Sequence, residues 1–355
     1  MKKLALIFAL TMAIGMIGCK NPPPTPPAPP PLGSSTVSPG GTAGGAPPTA
    51  AQPGTTAAVA AGKTAESKAA PGKYRTYVIG FSQCTFEDPW RINFNSQMEA
   101  AAKAHPEVSL IIANGENRND KQISDVENFM VRGVDAIIIS PREAAPLTAV
   151  VAKAYDRGIP VIVLDRRVVG DKYTCFIGAR NLDIGQAAAQ YLAGKLKSGK
   201  VVEIEGIIGA TATQERHQGF RDELKKSPGL EVIYDQPGDY KRSPAKQIMD
   251  NALQANPKID AVYAHNDEMA IGAFLAAKAA GRDQGLIIIG IDGQREAVKM
   301  IRNGLISATF VYPNGAQQAI ETALKIFNHE TVPREILLQT TRITKDENPD
   351  YLGFE

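Results

Sequence analysis

Ile259-Asp260-Ala261-Val262-Tyr263-Ala264-His265-Asn266-Asp267-Glu268-Met269-Ala270 is the stretch whose reading decides the fold. Its first half is a short apolar run suited to a strand buried on both faces. Polarity then flips. Asn266 and Asp267 fall where the strand should end, and Asp267 suits the N-cap of a helix running on through Met269, Ala270 and Ile271. In an open parallel α/β sheet, ligands bind outside the carboxyl ends of the strands. An amide and a carboxylate at one strand end can equally be mere helix caps. The same polar ending recurs, however. Val161–Leu164 runs into Asp165-Arg166, Leu286–Ile291 into Asp292-Gly293, and Val78–Phe81 into Ser82-Gln83. Repeated polar strand ends with groups that suit a polyol point to a binding site.

Outward from that stretch, strand and helix alternate from about residue 73. Strands are expected at Tyr74–Phe81, Val108–Ala113, Ala136–Ile139, Val161–Leu164 and Thr174–Ile177, with helices between them. Gly133 and Gly158 stand just past helix ends, where a left-handed residue is expected. After Asn181 the pattern restarts, with strands at Val201–Glu205, Leu230–Tyr234, Asp260–Ala264, Leu286–Ile291 and Ser307–Val311. A last helix covers Gly315–Phe327, and a final strand is expected near Ile336–Thr341. Two α/β halves in succession predict two doubly wound parallel-sheet lobes with a cleft.

The N-terminus reads differently. Met1-Lys2-Lys3 is a short positive region, and Leu4–Ile14 is apolar but too short to span a bilayer comfortably, as in a signal peptide. Ile17-Gly18-Cys19 resembles the lipobox of bacterial lipoproteins, with Met16 where Leu is usual. Residues 1–18 are therefore expected to be a lipoprotein signal peptide and Cys19 the lipidated residue; an ordinary signal with an incidental Cys is the alternative. Either way the mature chain is exported. Residues 19–72 are rich in Pro, Ala, Gly and Thr, and are expected to be a disordered tether between a membrane anchor and the folded body.

Composition excludes several classes. The net charge of +2 and the lack of a basic stripe or finger spacing give no sign of nucleic-acid binding. The 3 Cys are too few for a disulfide scaffold, and Cys84 and Cys175 are expected as buried free thiols. The 4 His show no metal-ligand spacing, so no metal and no cofactor are expected. Gly80-Phe81-Ser82-Gln83-Cys84 is not a dinucleotide-binding turn, and no Gly-x-Ser-x-Gly elbow follows a strand, so an enzyme on a similar frame is disfavoured.

Residues from about 75 to the end resemble the type I periplasmic solute-binding proteins of the ribose- and galactose-binding group. The strings that carry the resemblance are Gly80-Phe81-Ser82-Gln83, Trp90-Arg91, Leu164-Asp165-Arg166, Gly238-Asp239-Tyr240-Lys241-Arg242-Ser243, His265-Asn266-Asp267 and Ile291-Asp292-Gly293. The Trp-Arg pair and the Gly-Asp-Tyr string point more narrowly to the galactofuranose type. The resemblance implies a three-crossover hinge, with lobe one taking residues 73–180 and 312–334 and lobe two taking 181–311 and 335–355. It also implies a monomer that binds a monosaccharide without chemistry and delivers it to a membrane permease driven by an ATPase. A sensor that reports the sugar to a receptor is the alternative, and a repressor is disfavoured by the export signal together with the absent DNA-binding headpiece.

A sugar needs forked donors and acceptors and an aromatic plate. The candidate contacts are Ser82, Gln83, Glu87, Trp90, Arg91, Asp165, Arg166, Arg216, Asn266, Asp292 and Asn314. Trp90, the single Trp, can stack on the sugar or anchor the core. Arg91 can donate to the sugar or lie exposed, and Asp165-Arg166 can be a mere surface ion pair. Arg216 is favoured by the resemblance, with Glu215 and His217 on the same turn as alternatives. Asn314 fits a helix cap equally well. Asp267 is expected to be a cap, and Tyr240 and Arg242 to be structural, with lining of the cleft rim as the alternative.

Overall fold

The computed structural model describes residues 75–354. The signal peptide expected at 1–18, the lipidation expected at Cys19 and the tether expected at 19–72 lie outside the described residues. No helix among the described residues is long and apolar enough to cross a membrane.

The chain begins with β1 (Tyr77–Gln83), α1 (Pro89–Lys103), β2 (Val108–Asn114), α2 (Asn119–Arg132), β3 (Ala136–Ser140), α3 (Ala144–Asp156), β4 (Val161–Leu164) and β5 (Cys175–Ala179). It continues through α4 (Asn181–Lys195), β6 (Gly199–Glu205), α5 (Thr211–Leu224), β7 (Leu230–Pro237), α6 (Arg242–Ala255), β8 (Ala261–Ala264), α7 (Asp267–Ala279), β9 (Ile287–Ile289), α8 (Arg295–Arg302) and β10 (Ala308–Val311). It closes with α9 (Ala316–Phe327), β11 (Glu335–Leu338) and β12 (Thr341–Thr344). Two 6-stranded sheets result, in the orders β11-β5-β4-β3-β1-β2 and β12-β10-β9-β8-β6-β7. Among the described residues, only the pairing of β12 with β10 is antiparallel. The two doubly wound lobes are thus as expected.

Every residue of β3, β4 and β8 is buried. Helices cover both faces of such a sheet, so its central strands can be apolar throughout. Phe81, Phe94 and Met98 fill the interface between β1 and α1, and Phe220 stacks on Tyr263 at 4.1 Å in lobe two. Gly133 (φ 66°) and Gly158 (φ 79°) end α2 and α3 in the left-handed conformation, as their positions predicted. Cys84 and Cys175 are free and buried.

The chain crosses between lobes at Arg180, at residues 312–315 and at residues 339–340. The last crossing departs from expectation. A single strand near 336–341 was expected, in lobe two. Instead β11 pairs with β5 in lobe one, Glu335 opposite Phe176, and β12 pairs with β10 in lobe two. The two strands read as one extended run because only two residues separate them. The boundary therefore falls after Leu338, not at 334/335.

Helices α4 and α5 pack backbone to backbone. A Cβ on Gly185 would lie 2.3 Å from the Arg216 carbonyl oxygen, and one on Gly219 would lie 2.1 Å from that of Leu182. Only glycine permits this approach. It sets the first turn of α4, which carries Asn181, beside the second turn of α5, which carries Arg216.

Candidate ligand-binding site

The carboxyl ends of both sheets line one cleft. On lobe one, the Asp88 carboxylate caps α1 by accepting from the Arg91 N–H at 2.8 Å, with Pro89 in the first turn. Trp90 and Arg91 therefore leave the helix at its mouth. The Arg91 guanidinium is buried and donates to Gln83 Oε1 (2.9 Å), Ser140 Oγ (2.7 Å) and Asp165 Oδ2 (2.8 Å). Asp165, just past β4, takes φ 69°. Ser140 Oγ (3.0 Å) and Tyr312 Oη (3.0 Å) also donate to its carboxylate, and Arg166 Nε lies 3.6 Å away. Burial favours the neutral acid, but Arg91 and Arg166 outweigh it and hold Asp165 below the usual carboxylate range. The Asp165-Arg166 pair is thus part of a buried network, not a surface ion pair.

Trp90 fulfils both of its readings. It packs edge-on to Phe94 (centroids 5.1 Å apart) and its indole N–H donates to the Tyr312 carbonyl (2.8 Å), yet it still faces the cleft. Tyr312 sits in the second crossing, so the indole is tied to the hinge.

On lobe two, Asn266 and not Asp267 caps α7. Its Oδ1 accepts from the Met269 N–H (3.0 Å) and its Nδ2 donates to the Tyr240 carbonyl (3.2 Å). Asp267 lies one residue further in, within the helix, and is fully buried. It accepts from the N–H groups of Gly293 (2.9 Å) and Gln294 (2.8 Å) and from the Thr309 hydroxyl (2.7 Å), tying α7 to the ends of the neighbouring strands. Burial pushes its carboxyl up to about 7.

Arg216 is the residue of its turn that enters the cleft. Its Nε donates to Asn181 Oδ1 (2.9 Å) and its Nη1 to the His265 carbonyl (2.5 Å), and it lies 4.5 Å from the Tyr312 ring centroid. His217 turns away to Glu203 (3.2 Å), and Glu215 faces a separate groove beside Arg167. Asp292 has the left-side φ of 131° and is 5% exposed. Among the described residues no donor reaches its carboxylate, and burial and the nearby Asp267 carboxylate push it well above the usual range.

Seven of the eleven candidates therefore line the cleft: Trp90, Arg91, Asp165, Arg166, Arg216, Asn266 and Asp292. Four do not. Ser82 is buried beneath it, accepting from Gln122 Nε2 (3.3 Å), and Gln83 supports Arg91 from behind. Glu87 is exposed on the rim, paired with Lys241 (3.2 Å). Asn314 accepts from the Ala316 N–H (3.0 Å) and bonds Gln97 (3.1 Å). The cleft also contains Asp88, Tyr240 and Tyr312, which the candidate set omitted. Tyr240, expected to be structural with the cleft rim as the alternative, is part of the lobe-two wall. Tyr312 obeys the strand-end rule already applied to Asp165 and Asp292, since it follows β10 directly; its polar tip was overlooked. The free volume is about 30 Å³, room for two waters or so, so a sugar ring enters only when the lobes part.

Glu203, Glu205 and His217 bring three possible metal-ligand atoms within 4.8 Å of one another. Glu203 is already engaged by Arg221 (2.5 Å) and His265 (3.1 Å), which fits a charge network better than a metal centre.

Residues 79–331 match the family model described as a periplasmic binding protein domain. The chain is 34% identical over 293 residues to the galactofuranose-binding protein YtfQ of Escherichia coli, covering 79% of this chain and 90% of that one. It is 36% identical over 239 residues to the ribose import binding protein RbsB of Bacillus subtilis, covering 67% and 77%. Among solved structures, a galactofuranose binding protein superposes with a TM-score of 0.75 at 32% identity, covering 78% of this chain and 97% of that one. The fructose binding periplasmic domain of a hybrid two component system gives 0.74 at 40% identity, covering 77% and 92%. A two-lobed fold, polar groups converging from both lobes and a family match over most of the folded body agree: the chain belongs to the periplasmic binding protein domain family, and it is a binding protein, not an enzyme.

Proposed function

We propose that the protein is an exported sugar-binding protein of the ribose and galactofuranose type, which closes its lobes over a monosaccharide and delivers it to an ABC importer. The ligand is a galactofuranose-like or related aldose. The observation that carries this reading is the convergence of Arg91, Asp165 and Arg166 from one lobe with Arg216, Asn266 and Asp292 from the other, beside the faces of Trp90 and Tyr312. Carboxylates accept from paired hydroxyls, guanidinium forks donate to them, and the aromatic faces cover C–H patches. The Asp292 carboxyl, with no donor among the described residues, has hydrogen-bonding capacity that a sugar hydroxyl fills. Lipidation at Cys19 places the body on a membrane-anchored tether, beside a permease and its ATPase; a Cys19→Ser variant that no longer takes up labelled fatty acid and is released from the membrane tests that part.

A second reading has its own support. A domain 40% identical to this chain is the fructose-binding part of a two-component system. The same cleft would then report a sugar to a receptor, and a ketose belongs in the trial set.

The test is a binding screen across galactofuranose, galactose, arabinose, ribose and fructose, with amino acids and nucleosides as controls. Binding to the native state raises the melting temperature, and ligand at Trp90 changes the single indole's fluorescence. A shift with amino acids or nucleosides and none with any sugar overturns the assignment. Uptake lost on deleting the gene, with transport restored by the wild type, separates import from sensing.

A further inference from the structure

A second chamber adjoins the cleft on its outer side. It shares Asp88, Arg166 and Tyr240 with the inner site, and adds Thr85 and Asn117 from lobe one and Ile207 from lobe two. Its free volume is about 250 Å³, against about 30 Å³ inside. The Glu87–Lys241 ion pair (3.2 Å) joins the two lobes at its edge, so the chamber is formed by the same closure that forms the inner site.

We infer that the physiological guest carries a second uncharged unit, as a disaccharide or glycoside does, and that this unit occupies the outer chamber while the first ring occupies the inner site. The inference rests on the sugar reading above and changes its substrate class.

The walls argue against an anionic guest. Each cation of the chamber is already engaged: Lys241 by Glu87, Arg242 by Glu268 (2.7 Å) and Glu296 (2.6 Å), and Arg166 by Asp165 and the Arg142 carbonyl (3.1 Å). A phosphate or carboxylate would have to break one of these pairs. Ile207, the Cys84 thiol and the Tyr240 ring supply apolar surface, and Thr85 and Asn117 supply hydroxyl and amide groups. That mixture suits a polyol ring.

Tyr240 is the junction, and the fold takes trouble to place it. It holds φ 62°, a left-handed backbone conformation that is strained for a non-glycine residue. Its ring packs against Gly206, where a Cβ would lie 2.0 Å from the Tyr240 Cζ. Its hydroxyl is fixed to Thr213 Oγ1 at 2.7 Å. The ring is therefore a fixed element shared by the walls of both chambers.

The test is isothermal titration with matched pairs: galactose with lactose, fructose with sucrose, arabinose with arabinobiose, and each monosaccharide with its methyl glycoside. In at least one pair the larger sugar is expected to bind tenfold or more tightly than the smaller. Ile207→Trp and, independently, Thr85→Trp fill the outer chamber; each should weaken that larger sugar at least tenfold and leave its monosaccharide within threefold. Retained monosaccharide binding also shows that the variants fold. The inference is overturned if every monosaccharide outranks its larger partner, or if the Trp variants weaken both alike. Silence across all sugars of both sizes, with an intact thermal transition, instead removes the sugar reading itself and this inference with it.

Discussion

The two walls of the cleft carry similar chemistry in opposite states. On lobe one, Asp165 is saturated: Arg91, Ser140 and Tyr312 all donate to it, and Arg91 in turn is held by Gln83. On lobe two, Asp292 is as deeply buried but has no donor among the described residues. The first wall is a finished network that can position groups with little reorganisation. The second holds an open acceptor whose environment is completed only by something that enters. A buried charge is costly unless paired, so the asymmetry suggests that stability is invested in lobe one and ligand-dependent energy in lobe two.

The contrast can be broken directly. Asp165→Ala leaves Arg91 buried without its anion and should destabilise the ligand-free protein by about 3–5 kcal/mol in urea unfolding. Asp292→Ala should leave stability unchanged or slightly raised in the same assay. Equal losses would erase the distinction between the walls. In binding, Asp292→Ala should weaken the sugar by about 0.5–1.5 kcal/mol, roughly two- to twelvefold, the scale of a hydrogen bond to an uncharged group, since the raised carboxyl keeps its proton. Asn266→Ala removes both a cleft amide and the cap of α7, and should cost about 1 kcal/mol of stability along with affinity. A loss of affinity with no change in the melt would mean that the cap contributes nothing.

A pH titration sharpens the same comparison. Asp292 is raised in the folded chain, so the folded form keeps a proton that the unfolded chain gives up above about pH 4. Wild-type stability should therefore fall relative to Asp292→Asn as pH climbs from about 4 towards that raised value, and the two should converge below about 4. Asp165 is lowered, so its contribution is present above the unfolded value and fades as pH drops below it. Melting curves from pH 3 to 8 would read both signs. The smallest effect is expected on the rim. Glu87→Gln removes an exposed ion pair, worth about 0–1 kcal/mol, and should change monosaccharide affinity by less than about threefold.

Strand ends were the legible part of the site because a parallel sheet sends all of them to one edge. Asp165, Arg166, Asn266 and Asp292 were read that way and all line the cleft. Ser82 and Gln83 failed by the same rule: β1 runs on to Gln83, so both side chains belong to the strand and lie beneath the cleft floor. Asn266 and Asp267 are adjacent and both good caps, and only the position of the first helical turn decides between them. The β11–β12 exchange was hidden because strand propensity says nothing about which sheet a strand joins. Tyr240 owes its place to a left-handed backbone and a bare Gly206, neither of which a pattern of polarity reveals.

The contact of α4 with α5 at Gly185 and Gly219 reaches further than its position suggests. One helical turn away on each side stand Asn181 and Arg216, whose mutual bond aims a guanidinium at the guest. A single added methyl group at residue 219 would wedge the two rods apart and swing that guanidinium off target, although it touches nothing in the cleft. Relatives that keep every wall residue but lose either of these two bare positions should therefore be poor at holding sugar, and a comparison confined to the walls would overlook why.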